Sequence, residues 1–325
     1  MIEILKGAIQ RGASDIHIKS GDYIRARVRG ELIPLTRQQV PPAQVRQLAL
    51  KLIPDWERSH IDELLDYDCS WGAPGLGRFR VNILRQRGSM GIVMRVIPIE
   101  IPTLDELALP PILKDIALSN RGMVLVTGVT GSGKSTTLAA MMDHINTNRA
   151  HHILTLEDPI EFLHKDKKSS ITQRDVGTDT ESFNVGLRAA LREDPDSILV
   201  GEMRDTETID IALKASETGH LLFSTLHTQS AVKTISRVIS VFPPAEQEMV
   251  RVRLAESLVA VISQRLLPRK DGKGRVAAVE VMVVTATIRD AILDPNRVDE
   301  IADFIAQGKE QYGSQTFDQH LMELV

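Results

Sequence analysis

The residues Gly128-Val129-Thr130-Gly131-Ser132-Gly133-Lys134-Ser135 follow the spacing G-x-x-x-x-G-K-[ST] of a phosphate-binding loop. Glycines let backbone amides close around phosphate oxygens where a Cβ would intrude. A helix beginning at the loop adds the positive end of its dipole. Lys134 can reach the β- and γ-phosphates, and the Ser135 hydroxyl can ligate Mg²⁺. The expected phosphate cradle is therefore Gly128, Thr130, Gly131, Ser132, Gly133, Lys134, Ser135 and Thr136, and the expected ligands are ATP and Mg²⁺.

Three carboxylates follow an apolar run at 152–156, in Glu157-Asp158-Pro159-Ile160-Glu161. Hydrolysis of a γ-phosphate needs an oriented water and a group to take its proton. Glu161 or Glu157 can supply that group. Ser197-Ile198-Leu199-Val200-Gly201 reads as a Walker B strand, but Gly201 stands where an aspartate is usual and the acid, Glu202, comes one residue later. Glu202 is therefore expected to reach Mg²⁺ through a water. His227 follows the run 221–225, with Thr225 and Thr228 beside it and His220 before it. A histidine and two hydroxyls there can contact the γ-phosphate or the attacking water. An ordinary structural histidine explains the same residues equally well.

These groups need a scaffold that gathers strand ends. Met123-Val124-Leu125-Val126 reads as a buried strand, and 134–147 as the helix after the loop. Strands at 123–127, 152–156, 197–201 and 221–225 alternate with helices at 134–147, 181–193, 205–218 and 230–240. That order predicts a mostly parallel, doubly wound α/β sheet, whose ligands collect at the carboxyl ends of its strands. A long amphipathic helix is expected over 244–262, with Val250, Leu254, Leu258 and Val261 on one face, then a strand near 276–284. Upstream lies a small α+β domain: a helix over 2–11, strands near 14–19, 23–29 and 32–35, a helix from Pro41-Pro42, a short acidic helix over 55–65, and strands at 68–71, 78–85 and 91–97. In Arg78-Phe79-Arg80-Val81-Asn82 the arginines alternate with apolar residues, so they face away from the core. Pro98 and Pro102 disfavour helix and central strand. The expected domains are 1–98, a linker at 99–110, and 111–325.

Bulk composition excludes several classes. Hydrophobic residues are 42% and charged residues 25%, ordinary for a globular chain. The single cysteine, Cys69, forbids an intrachain disulfide and any cysteine-only metal site. No run approaches the roughly 20 apolar residues of a membrane span. The N-terminus lacks the basic and long apolar regions of a signal peptide. A cytoplasmic chain without direct membrane insertion is expected. Net charge is −4 and aromatics are 4%, which disfavours base stacking, so nucleic acid is not expected as a partner. A RecA-type nucleic-acid translocase is the alternative of another class. A nucleotide-binding regulator without turnover is a third, disfavoured by the carboxylates at 157–161.

Taken together, Glu157-Asp158-Pro159-Ile160-Glu161-Phe162, Gly201-Glu202-Met203-Arg204-Asp205, and Gly219-His220 with Ser224-Thr225-Leu226-His227 resemble the Asp box, atypical Walker B and His box of the secretion-type hexameric ATPases. The likeness spans nearly the whole chain and is greatest to the type IV pilus retraction family. Gly12-Ala13-Ser14-Asp15-Ile16-His17 resembles its N-terminal signature. The resemblance implies a PAS-like N-terminal domain, a RecA-like ATPase domain and a homohexamer. It implies Glu161 as catalytic carboxylate, Glu202 in support of Mg²⁺, and Arg80 and Arg95 reaching a nucleotide site. It further implies a place at the inner-membrane pilus base, against the cytoplasmic face of a platform protein. Extension and type II secretion ATPases, the alternative within the superfamily, usually carry a tetracysteine zinc motif, which a chain with only Cys69 cannot form. Ile301-Ala302-Asp303-Phe304-Ile305, set against the family's C-terminal Ala-Ile-Arg-Asn-Leu motif, does not match it. Gln315-Thr316-Phe317-Asp318-Gln319 does resemble the segment beyond. The family usually continues past that point, so truncation after Val325 is expected.

Overall fold

Strict alternation near the N-terminus folds as an antiparallel sheet with one covered face. The computed structural model describes every residue except Ile99, Asp271, Lys273 and Val325, and every other side chain but that of Trp56. Ile99 of the expected linker and the expected last residue, Val325, thus lie outside the described residues. Two compact units form: Met1–Glu100 with Glu161–Leu163, and Ile101–Ile160 with His164–Val325.

In the first unit the elements run α1 (Ile2–Gln10), β1 (Ala13–Lys19), β2 (Tyr23–Val28), β3 (Glu31–Gln39), α2 (Pro42–Leu52), a 3₁₀ turn (Asp55–His60), β4 (Asp66–Ala73), β5 (Gly77–Gln86) and β6 (Ser89–Ile97). The short acidic helix expected over 55–65 is only this 3₁₀ turn. The six strands order as β3-β2-β1-β6-β5-β4. Ile16, Ile18, Ile24, Ala26, Phe79, Val81, Ile83, Ile92 and Met94 are buried in one core with Leu5 and Ala8 of α1 and Val45 and Ala49 of α2. Because side chains alternate, their neighbours Asp15, His17, Arg25, Arg27, Arg80 and Arg95 share the opposite face.

The second unit continues with α3 (Ile112–Ala117), β7 (Gly122–Thr127), α4 (Lys134–Asn148), β8 (His152–Glu157), β9 (Ser170–Asp175), α5 (Phe183–Ala190), β10 (Ser197–Val200), α6 (Thr206–Glu217), β11 (Leu221–Leu226), α7 (Ala231–Ser240), α8 (Gln247–Ser257), β12 (Leu258–Pro268), β13 (Arg275–Val283), α9 (Ala286–Leu293), α10 (Ile301–Gln307), α11 (Lys309–Tyr312) and α12 (Phe317–Leu324). Its seven strands order as β13-β12-β7-β11-β10-β8-β9. All pairs are parallel except β12 with β13. Every residue of β7 is buried, and each Val or Leu so placed contributes about 1.5–3 kcal/mol. Leu104 and Leu109, within the segment expected as a linker, pack into the same core as Val124 and Met141.

The helix expected over 244–262 is a correction. It stops at Ser257, and Leu258 to Pro268 form β12, which pairs with β7. Val250 and Leu254 do pack on α8. The strand segment is buried on both faces, so its residues form a continuous apolar run that periodicity cannot separate from a buried helix. β9 was not expected either.

Lys165 to Lys168, expected as a solvated loop, is tied to α4. Asn146 Nδ2 donates to the Lys165 carbonyl at 2.7 Å, and Lys167 pairs with Asp143 at 2.7 Å. Beside it, burial pushes His164 from 6.5 down to about 4; Asp143 raises it and Lys167 lowers it. Its Nδ1 has no hydrogen-bond partner among the described residues. The folded chain therefore resists a proton that the unfolded chain accepts near pH 6.5. Stability is expected to fall as pH drops from 6.5 to about 4, by about 3 kcal/mol from this residue. Urea melts of the native chain and His164→Gln at pH 7 and pH 4.5 check it. The variant should lose about 2 kcal/mol less over that interval.

Candidate nucleotide and catalytic site

The loop between β7 and α4 is shaped by its glycines. Gly128, Gly131 and Gly133 have φ of 143°, 78° and 92°, a region that side chains rarely adopt. At Gly128 space forbids one as well: a Cβ would lie 2.5 Å from the Gln264 carbonyl oxygen and 2.6 Å from Ser132 Oγ. β12 thus presses on the loop from behind. Gly133 caps α4, so the amides of Lys134, Ser135 and Thr136 open the helix toward the loop. Lys134 Nζ donates to the carbonyls of Gly128 at 2.9 Å and Val129 at 3.2 Å. Ser132 is buried and its hydroxyl has no hydrogen-bond partner among the described residues. Val129 and Thr130 are exposed. A cradle of open amides, an orphaned hydroxyl and a lysine fits a polyphosphate.

Strand order places the other candidates beside this loop. β11 neighbours β7, β10 neighbours β11, and β8 neighbours β10. At about 4.8 Å per strand, Glu202 after β10 stands roughly 10 Å along the sheet from the end of β7. Gly201 is held from both sides: its amide donates to the Leu156 carbonyl at 2.7 Å, and its carbonyl accepts from Thr225 Oγ1 at 2.7 Å. A Cβ on Gly201 would meet the Leu156 carbonyl oxygen at 3.2 Å. The acid is displaced to Glu202, where Oε2 lies 2.8 Å from Arg204 Nε and 3.6 Å from His227 Nε2. Glu157 Oε1 accepts from Thr155 Oγ1 at 2.7 Å and Gln173 Nε2 at 3.2 Å. Glu202, His227 and Glu157 therefore collect at the carboxyl ends of neighbouring parallel strands.

Not every expected residue joins them. Glu161 is exposed and belongs with Phe162 and Leu163 to the first unit. His220 precedes β11, and both its amide and its ring lie against the Ala215 carbonyl, so it closes α6 at the other end of the strand. The two hydroxyls expected to face a phosphate have protein partners: Thr225 bonds Gly201, and Thr228 Oγ1 shares a 2.7 Å hydrogen bond with Thr234 Oγ1.

Arg80 and Arg95 are cross-strand neighbours on β5 and β6. Arg95 also stands opposite Asp15 of β1, and Asp15 opposite Arg27 of β2. Arg95 Nε donates to Asp15 Oδ1 at 2.9 Å, which leaves its terminal amino groups outside that bond. Burial raises the Asp15 carboxyl, but hydrogen bonds from Arg95 and Ser14 and the charge of Arg95 bring it below the usual range. In the sequence Asp15 stands out only as a member of the N-terminal signature; its cross-strand register with Arg95 is what reveals a role for it.

Among the described residues no cluster of three or more His, Cys, Asp or Glu side chains could hold a metal alone. Mg²⁺ commonly takes one or two carboxylates together with phosphate oxygens and waters. Ser135 and Glu202 fit such a donor set.

The fold and strand-end group define a P-loop nucleotide-binding protein of the secretion class. The chain matches the Type II/IV secretion system protein family over residues 1–318 and belongs to that family. It is 49% identical over 325 residues to the type IV pilus retraction ATPase PilT of Pseudomonas aeruginosa, covering 99% of this chain and 93% of that one. It is 47% identical over 318 residues to a twitching motility protein of Neisseria gonorrhoeae, covering 96% and 84% of the two chains. A crystal structure of the pilus retraction motor PilT with bound ADP superposes with a TM-score of 0.90 at 44% identity, covering 100% of this chain and 92% of the other. The mixed α/β architecture is thus that of the secretion ATPases. No helix among the described residues is long and apolar enough to cross a membrane.

Proposed function

We propose that the protein is an ATP-hydrolysing motor that retracts type IV pili. The observation that carries this is likeness to a named retraction ATPase over 99% of the chain, together with the phosphate loop and the strand-end group of Glu157, Glu202 and His227. The glycine loop and Lys134 hold the β- and γ-phosphates. Mg²⁺, when bound, neutralises charge on the phosphate oxygens, with Ser135 as ligand and Glu202 behind a water. Glu161 takes the proton of the attacking water, and His227, beside Glu202, orients that group. Arg80 and Arg95 supply positive charge to the transferring phosphate of a neighbouring subunit. The assembly is a homohexamer of PAS-like and RecA-like domains. It stands at the cytoplasmic side of an inner-membrane pilus platform protein, and ring closure over ATP becomes force on the pilus base.

Deletion of the gene tests the direction of force. Surface pili are expected to accumulate and twitching to stop. Loss of surface pili would instead make this an extension motor.

A further inference from the structure

Glu280 lies outside the strand-end group, on the antiparallel edge strand β13. It stands directly opposite Ser263 of β12, and Ser263 stands directly opposite Thr127 of β7. Thr127 is the residue before Gly128, where the phosphate loop begins. Thr127 Oγ1 donates to Ser263 Oγ at 3.1 Å, and both residues are fully buried. Register sets the Ser263 hydroxyl beside the Glu280 side chain, and its influence lowers the Glu280 carboxyl. On its other side the Glu280 carboxylate accepts from the amide of Ala231 at 2.7 Å. Ala231 is the first residue of α7, whose N-cap is Ser230. Only His227 to Ser230 separate β11 from that helix.

One carboxylate therefore bonds the first amide of the helix that leaves the His227 loop and stands one residue, Ser263, away from the strand that ends in the phosphate loop. The hydrogen bonds have a single direction. A hydroxyl donates one proton. Ser263 accepts from Thr127, which leaves its own proton to point to the carboxylate across the strand pair. The Ala231 amide and the helix dipole both favour negative charge at the same oxygens. Burial raises the Glu280 carboxyl, while the Ala231 amide, the Ser263 hydroxyl and the Arg265 charge oppose that rise. A glutamine there could donate to Ser263 and reverse the chain toward Thr127. Nothing in the hydrolysis scheme above uses this residue.

We propose that Glu280 is a positioning residue that couples the phosphate loop to the 227–231 loop, through Ser263 and Thr127 on one side and the first amide of α7 on the other. The inference rests on the reading of 128–136 as the nucleotide site. Movement of the loop around phosphate shifts the end of β7, and the hydrogen-bonded chain passes that shift to α7 and so to His227.

Glu280→Gln and Ser263→Ala test it, with ADP and ATP as probes and hydrogen exchange as the added readout. In the native chain ADP should protect amides of both 128–136 and 227–232. Glu280→Gln should keep ADP affinity within about twofold and keep protection at 128–136. It should lose protection at 227–232, and kcat should fall about tenfold with KM for ATP unchanged. Ser263→Ala should lower kcat about threefold, and the double variant should be no slower than Glu280→Gln alone, because both act on one chain. If Glu280→Gln does not fold, Ser263→Ala decides by the same two measures. A response at 227–232 that survives in both variants, or losses that add, would overturn the coupling while leaving the nucleotide site intact. Absence of ADP protection at 128–136 in the native chain would overturn the nucleotide site and this inference with it.

Discussion

Glu161→Gln should bind ATP as tightly as the native chain and hydrolyse it about 10²–10⁴ times more slowly, the range for loss of a general base. The amide keeps the shape of the carboxylate and cannot take a proton. The rival acids have other work: Glu157 Oε1 accepts from Thr155 and Gln173, and Glu202 is paired with Arg204 at 2.8 Å. Glu161 is exposed to solvent. Steady-state phosphate release beside fluorescent-nucleotide binding reads both halves of the expectation. Turnover unchanged in the variant would move the base role to Glu157 or Glu202.

The second large effect is expected from the arginines of the first unit. Arg80→Ala or Arg95→Ala should lower turnover by roughly 10³–10⁵ with nucleotide binding retained, the range for an arginine that stabilises a transferring phosphoryl group. The two side chains stand opposite each other on β5 and β6. Like charges so placed destabilise a sheet. Asp15 offsets some of that by pairing with Arg95 Nε. A bridging phosphate would offset the rest, so the pair is better matched to an anion than to its own sheet. If the arginines serve a neighbour's nucleotide, mixing an arginine variant with Lys134→Ala should restore turnover that neither shows alone. Each chain then brings what the other lacks. Mixtures no more active than the separate variants would place the arginines in their own chain's site.

Much of this was legible in the sequence because each signal had a local cause. The phosphate loop declares itself by glycines that need positive φ, and β5 by apolar residues at every second position. Other features depend on tertiary context. β12 follows α8 with no glycine or proline between them, and Leu258 and Val261 continue the helical spacing of Val250 and Leu254. Only pairing with β7 reveals a strand. β9 is Ser-Ile-Thr-Gln-Arg-Asp, too polar to stand out, and forms because β8 offers a free edge. Glu280 was invisible for a similar reason: its partners Ser263 and Ala231 are brought to it by register.

Gly201 bears on how such a site could change by descent. A Cβ there would lie 3.2 Å from the Leu156 carbonyl oxygen on β8, so a side chain at 201 needs that carbonyl to give by a few tenths of an ångström. The close approach of β8 thus favours glycine at 201 and the acid one residue later. A lineage built on this sheet would explore new regulation around Glu202, at Arg204 and His227, far more readily than it could relocate the acid itself.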